Sequence, residues 1–219
     1  MKNDEDLIKY LLKFISKERQ NLFLNKIEER TKHLTIVLDN IYQSRNISAC
    51  IRSAECFGIQ DIHILEDINN FSDDREVSLG ASKWTNIYHY KNNIELIKSL
   101  KKNKYKILAT RPCNANYDIS EINLTNKTAI IFGSEINGCS NEILKYVDET
   151  VYIPMHGFTE SLNVSVAVAI SLHHLTNKMR NSNINWKLTK KLKNKILLNW
   201  LRKSIKSSKE IEKLFIKNN

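Results

Sequence analysis

The stretch Thr128-Ala129-Ile130-Ile131-Phe132-Gly133-Ser134-Glu135-Ile136-Asn137-Gly138-Cys139 decides how this chain is read. Its first five residues carry no charge and are mostly β-branched or aromatic, the composition of a strand buried on both faces. Gly133 and Gly138 then bracket a four-residue turn. Glycine allows close backbone approach and positive φ, which a loop wrapped around a ligand often requires. A strand that hands its carboxyl end to such a turn reads as the binding edge of an open α/β sheet. An isolated G-x-x-x-x-G is most often an ordinary turn, so the segment takes its meaning from its neighbours.

Working outward, strands and helices alternate. Leu34 to Leu38, Ile62 to Leu65, Ile87 to His89, Tyr105 to Thr110 and Val151 to Ile153 read as strands from their short apolar runs. Between them, Ile47, Cys50, Ile51 and Ala54 recur with helical period until Gly58 stops the helix. Asn93 to Lys101 and Asn141 to Val147 predict two more helices. Residues 5–31 suggest one or two amphipathic helices, and Ile184 to Leu201 and Ile205 to Ile216 two basic ones. Leu162 to Leu172 stays ambiguous on residues alone, because valine favours a strand while its length and small residues tolerate a helix. Pro112 and Pro154 both follow apolar strand ends. Such alternation predicts a parallel sheet covered by helices.

At 219 residues and 25.5 kDa the chain accommodates one domain of ordinary size with appendages. The net charge of +10 suits an anionic partner, nucleic acid or an acidic membrane. Its distribution is more informative. From Lys178 onward there are thirteen Lys or Arg and two acids, Glu210 and Glu212, while the rest of the chain is close to neutral. Basic blocks of this kind are often interaction tails, although a lysine-rich solvated helix face would look the same. Cys50, Cys56, Cys113 and Cys139 show neither C-x-x-C pairing nor metal spacing, and read as small buried hydrophobes in a reducing compartment. Asp4, Glu5 and Asp6 precede the first apolar residues, the reverse of a signal peptide's order. No stretch approaches the roughly eighteen apolar residues of a membrane span. The expectation is a cytoplasmic protein.

Two further segments complete the picture. One is Asn46-Ile47-Ser48-Ala49-Cys50-Ile51-Arg52-Ser53-Ala54, closing at Phe57-Gly58; the other is Ile153-Pro154-Met155-His156-Gly157 followed by Ser161-Leu162-Asn163-Val164-Ser165-Val166-Ala167. With Ile130 to Cys139 between them, and in this order, they resemble the three signature motifs of the SpoU/TrmH family of RNA 2'-O-ribose methyltransferases, within the SPOUT superfamily. The resemblance spans roughly Leu34 to Leu175. It implies an α/β fold whose parallel-sheet SPOUT domain, residues 34–177, ends in a deep trefoil knot. That domain would be flanked by an N-terminal helical extension, 1–33, and a basic C-terminal one, 178–219. It also makes Leu162 to Leu172 a helix. Periodicity predicts no knot, and general rules of chain topology argue against one.

The resemblance further implies S-adenosylmethionine as methyl donor, bent and held largely by backbone groups of the knot. Thr110, Gly133, Ile153 and Leu162 match donor-binding positions, and Asn46, Arg52, Glu135, Ser161 and Asn163 match catalytic-site positions. Methylating a ribose hydroxyl requires a group that takes its proton, an oriented donor and exclusion of water. Arg52 occupies the arginine position of the first motif. A guanidinium with a pKa above about 12 accepts a proton only with help, which the family proposal assigns to an RNA phosphate; binding that phosphate would use its ordinary charged state. On residues alone, Arg52 reads as a surface partner of Glu55, and Asn46, Ser161 and Asn163 read as helix caps. Arg45 stands where the family more usually has the second residue of a Pro-His pair, and Ile136-Asn137 replaces a frequent Lys-Trp. His156, His173 and His174 read as packing or surface residues, and no metal is expected.

Relatives are dimers whose site draws on both subunits, so a homodimer is expected. The short N-terminal helical segment and basic C-terminal extension look most like the subgroup acting on guanosine 18 in the D-loop of tRNA. The alternatives are 2'-O-methylation of another tRNA or rRNA nucleotide, and a non-catalytic RNA-binding protein with the same fold. A non-catalytic protein has no chemical need to keep Asn46, Arg52, Glu135, Ser161 and Asn163 together.

Overall fold

The structure is a computed structural model that describes residues 4–66, 74–112 and 115–217. Cys113, one of the four cysteines considered above, lies outside the described residues. The chain divides into two compact units, Thr31–Trp186 and Met1–Arg30 with Lys187–Asn219.

The larger unit is built on seven parallel strands: β1 Leu34–Asp39, β2 Asp61–Leu65, β3 Asn86–Tyr90, β4 Lys106–Thr110, β5 Tyr117–Asp118, β6 Thr128–Phe132 and β7 Glu149–Tyr152. Their order is β3-β2-β1-β6-β4-β7-β5, and every pairing is parallel. The fold-deciding strand β6 sits centrally, with Leu34 opposite Thr128 and Leu38 opposite Phe132 on one side and Leu108 opposite Ile130 on the other. All five of its residues are buried, which is why the segment contains no alternation. Ile130 and Phe132 join Ile36 and Leu38 in one core, while Ala129 and Ile131 join Val37, Ile107 and Ala109 in another. Both faces are therefore covered by helices.

On the first face lie α3 Ser44–Cys56 and α7 Val164–Arg180, which pack on each other. Ile47, Cys50, Ile51 and Ala54 of α3 and Val168, Leu172, Leu175 and Met179 of α7 are fully or almost fully buried there. Each of the larger ones, the isoleucines, leucines, valine and methionine, stabilises the fold by roughly 1.5–3 kcal/mol through burial, before entropy is counted. Helix α3 ends as its spacing predicts. Gly58 takes φ 79°, its N–H reaches Glu55 O, and Ile59 N–H reaches Ala54 O, the paired bonds of a Schellman end. Helix α7 resolves the ambiguity of Leu162 to Leu172. The other face carries α5 Asn93–Lys102 and the short α6 Asn141–Leu144, whose Leu96, Leu100 and Ile143 enter the second core. Helix α6 is shorter than the predicted Asn141 to Val147, and a four-residue α4, Arg75–Ser78, was not predicted.

The smaller unit consists of α1 Asp4–Leu12, α2 Lys17–Glu28, α8 Lys190–Ser204 and α9 Ser208–Lys217. Phe23 meets Trp200 edge-on at 5.7 Å, and Arg30 lies 5.5 Å over the same indole. Helix α8 starts at Lys190, later than the predicted Ile184, because Thr189 caps it by accepting from Leu192 N. No helix among the described residues is long and apolar enough to cross a membrane.

Candidate active site at the strand tips

The carboxyl ends of β4, β6 and β7 open onto one cavity of about 600 Å³, within the size range of small-molecule and cofactor sites. Thr110, Gly133, Ile153 and Leu162 line it, as do Glu135, Ser161 and Asn163. The loop after β6 is pinned to itself: Ser134 N–H and Gly138 O pair at 3.0 Å, Gly138 N–H and Ser134 O at 2.9 Å, and Asn137 N–H reaches Ser134 Oγ at 3.2 Å. Its two glycines do different work. Gly138 takes φ 65°, whereas a Cβ at Gly133 would lie 2.0 Å from Cys139 N and 2.3 Å from Gly138 O. Position 133 therefore excludes any side chain, so that the loop folds back on the strand end, and residues 133–139 line the cavity.

Three of the candidate residues form a hydrogen-bonded chain. Asn163 Nδ2 donates to Asn46 Oδ1 at 3.3 Å, Asn46 Nδ2 donates to Glu135 Oε1 at 2.6 Å, and Glu135 Oε2 accepts from Tyr42 N–H at 3.2 Å. One side chain from each of the three motifs is thus linked at the mouth of the cavity. Asn163 is also the cap of α7, accepting from Ser165 N–H at 2.9 Å, so its capping and site readings hold together. Asn46 is not the cap predicted for α3. That position falls to Gln43, and Asn46 lies in the first turn, where its amide is released toward Glu135. Ser161 lies in the segment before α7 and lines the cavity.

Arg52 is placed differently. It is exposed on α3 and is not among the residues lining the cavity. It is six residues beyond Asn46, so the helix turns its side chain roughly 120° away from the amide.

A buried anchor holds the loop from below. Asp39, only 1% exposed at the tip of β1, accepts from Ser140 N–H at 3.0 Å and from Asn40 Nδ2 at 3.0 Å. Cys139 lines the cavity, but burial, and then Asp39, push its thiol up to about 12, so it is a neutral small hydrophobe. Burial, and then Glu135, raise Cys50 further. Cys56 departs from the expectation of burial. It is exposed in the last turn of α3, off the stripe formed by positions 47, 50, 51 and 54. Arg111, Met155 and Glu160 also line the cavity and were not predicted; adjacency to Thr110, Pro154 and Ser161 was the only available signal. His173 is exposed and meets Phe57 edge-on at 6.0 Å. Among the described residues no group of three or more His, Cys, Asp or Glu is placed to hold a metal ion.

A parallel sheet with a glycine-bracketed loop and a capped helix around its strand tips is a nucleotide-sized ligand site of the α/β class, and residues 33–173 match the SpoU rRNA Methylase family, to which this chain belongs. The chain is 39% identical over 214 residues to the tRNA (guanosine(18)-2'-O)-methyltransferase of Borreliella burgdorferi, covering 96% of this chain and 98% of that one. Its fold is similar to that of the TrmH/SpoU tRNA modifying enzyme of A. aeolicus, with a TM-score of 0.78 and 26% identity over 87% of this chain and 98% of the other. A SpoU methyltransferase, AviRb from Streptomyces viridochromogenes, crystallised with AdoMet, shares the fold with a TM-score of 0.60 and 21% identity over 73% of this chain and 63% of that one.

Proposed function

We propose that this protein transfers the methyl group of S-adenosylmethionine to a ribose 2'-hydroxyl of tRNA, that of guanosine 18 in the D-loop. The observation that carries the reading is the Asn163–Asn46–Glu135 chain, which ties the first motif to a cavity lined by the second and third, in a chain aligned over 96% of its length with a relative named for that reaction. The donor supplies an electrophilic methyl on a sulfonium. Thr110, Gly133, Ile153 and Leu162 hold it, and the closed approach of Gly133 to the Gly138–Cys139 backbone fits a ligand recognised by main-chain groups. Such a loop is inherited from a fold that ends in a trefoil knot.

The Asn163–Asn46–Glu135 chain fixes the cavity mouth and orients the sugar. Arg52 is exposed and turned roughly 120° from Asn46 around α3; it serves the site of a second subunit, where it binds the phosphate beside the attacked ribose and eases loss of the hydroxyl proton. The protein is therefore a homodimer. Val166 and Ile170 form an exposed apolar stripe on α7, continuing from exposed Leu162, which lines the cavity, the kind of surface a subunit contact buries. The protein acts in the cytoplasm. Lysines of α8 and α9 hold the tRNA backbone, and the helical unit as a whole serves as the RNA-holding extension of the catalytic unit.

The test is to incubate the purified protein with isotopically labelled donor and total tRNA and map the product by mass spectrometry. Label on guanosine 18 supports the reading; label on another nucleotide moves the substrate, and no label on any RNA removes the activity.

A further inference from the structure

The cavity accounts for the methyl donor but leaves the nucleotide that receives the methyl without a seat. Two large exposed residues flank Glu135, Tyr42 through its backbone N–H and Ile136 as its neighbour in sequence. Tyr42 is 67% exposed and Ile136 is 79% exposed. They are brought together by the chain itself. Tyr42 N–H bonds Glu135 Oε2 at 3.2 Å, and Ile136 follows Glu135 and lines the cavity. Neither sits on a loose tip. Ile41, just before the tyrosine, is 2% exposed in the core. Asn40 holds a left-handed φ of 52° and donates to buried Asp39, which also accepts from Ser140 N–H in the loop that carries Ile136.

Fixing two bulky apolar groups in water gives up burial that a folded chain normally takes. Proteins that act on one nucleotide of a structured RNA draw it out of its stack and hold the base between aromatic and apolar side chains. The neighbourhood matches that use. Arg45, largely exposed, carries a positive charge three residues after Tyr42, where a phosphate of the displaced strand would run, although it also reaches Asp74 at 3.5 Å. Asn46 offers a hydrogen-bonding amide on the adjoining turn.

We propose that Tyr42 and Ile136 hold the base of the target nucleotide between them, setting the ribose over the cavity mouth, an inference that rests on the ribose methylation proposed above. Both are substrate-positioning residues. They discriminate by surface and leave the identity of the base to polar contacts, so an adenosine would stack as a guanosine does.

The experiment measures steady-state methyl transfer to a tRNA transcript by the full-length protein and its Tyr42→Ala, Tyr42→Phe and Ile136→Ser variants, with light scattering on each. Truncating a stacked aromatic is expected to raise KM for tRNA roughly ten- to hundredfold. Tyr42→Phe should restore it, with KM for the donor unchanged in both Tyr42 variants, and Ile136→Ser should raise KM for tRNA by a smaller factor. Unchanged KM for tRNA in Tyr42→Ala, with the unsubstituted protein active, overturns the inference. So does a Tyr42→Ala protein that has become a monomer, because the ring would then be a subunit contact. Should the unsubstituted protein transfer no methyl to tRNA, it is the ribose methylation itself that fails.

Discussion

At the residue scale, the site is a set of backbone and amide contacts whose disruption has graded consequences. Gly133→Ala drives a Cβ into main-chain atoms of residues 138 and 139; neither can move without opening the Ser134–Gly138 pair. Donor affinity, measured by calorimetry, is expected to fall at least tenfold, with a loss of about 1–3 kcal/mol in stability. Normal affinity would show that the loop does not face the donor. Glu135→Gln keeps the shape but turns one acceptor into a donor facing either Tyr42 N–H or the Asn46 amide. One charge-assisted bond is lost, worth roughly 1.5–3 kcal/mol, so kcat should drop about ten- to a hundredfold. Arg52→Ala should nearly abolish methyl transfer while leaving tRNA binding within several-fold, as measured by filter binding beside turnover. Retained turnover would remove Arg52 from the reaction. Most of these residues were legible because motif and spacing pointed to them. The Asn46–Glu135 bond was not, because 89 residues separate its ends and a lone amide in a helix's first turn reads as a cap.

At the scale of elements, α3 and α7 do more than cover the sheet, since α3 brings Asn46 to the Glu135 carboxylate and the cap of α7, Asn163, bonds Asn46 in turn. Leu172→Ala in their shared core should lower the unfolding free energy by about 2–5 kcal/mol in denaturant titration, and an unchanged value would mean the α7 face is not buried as described. Helices α8 and α9 carry the basic excess, yet part of it is already used within their own unit. Lys190 pairs with Glu5 at 2.6 Å, Lys193 with Glu28, and Arg202 with Glu212 through two bonds of 2.7 and 2.9 Å. Lys178 belongs to α7 and donates to Ser120 O and Ile122 O, so a truncation there would cut the catalytic unit. The cleaner test exchanges the exposed Lys191 and Lys195 for glutamate. The slope of log affinity against log salt should then flatten by about one per lost phosphate contact, whereas Lys193→Ala should leave it in place. Equal slopes in all three proteins would place the RNA elsewhere. Alternation read from the sequence predicted six of the seven strands, most plainly β1 and β6, which are buried at every residue, and it missed the two-residue β5, which is only half-buried and has no apolar run. It placed the start of α8 too early because Ile184 and Trp186, apolar at helical spacing, instead pack against the core beneath the sheet's first face.

At the scale of the whole molecule, buried chemistry away from the site sets the response to acid. His63 is 3% exposed, stacked on Tyr88 and Tyr90 at 5.1 and 5.7 Å, and edge-on to Tyr105 at 6.5 Å. Its Nδ1 is bonded to Tyr90 Oη at 2.9 Å. Burial lowers its pKa to about 4, against the opposing pull of Asp61 and with help from Lys32 and Lys127. The folded state thus holds this imidazole neutral, while an unfolded chain protonates it near 6.5. Between those values the unfolded state binds more protons, so stability falls as pH drops from about 6.5 to 4, by roughly 3 kcal/mol from this group. His63→Phe should flatten that limb in unfolding measured across pH, and an unaltered limb would assign it to other groups. The sheet and its helices were within reach of sequence patterns. The chain threading and subunit pairing proposed above were not, because neither would leave a periodic trace in the residues.

The claim on which the account turns is that the acceptor is a sugar oxygen. A tRNA transcript with 2'-deoxyguanosine at position 18 alone, compared with the unsubstituted transcript under labelled donor, tests it directly. The account predicts methylation of the unsubstituted transcript and none of the deoxy one. Equal methylation of both would place the methyl on another atom and contradict it.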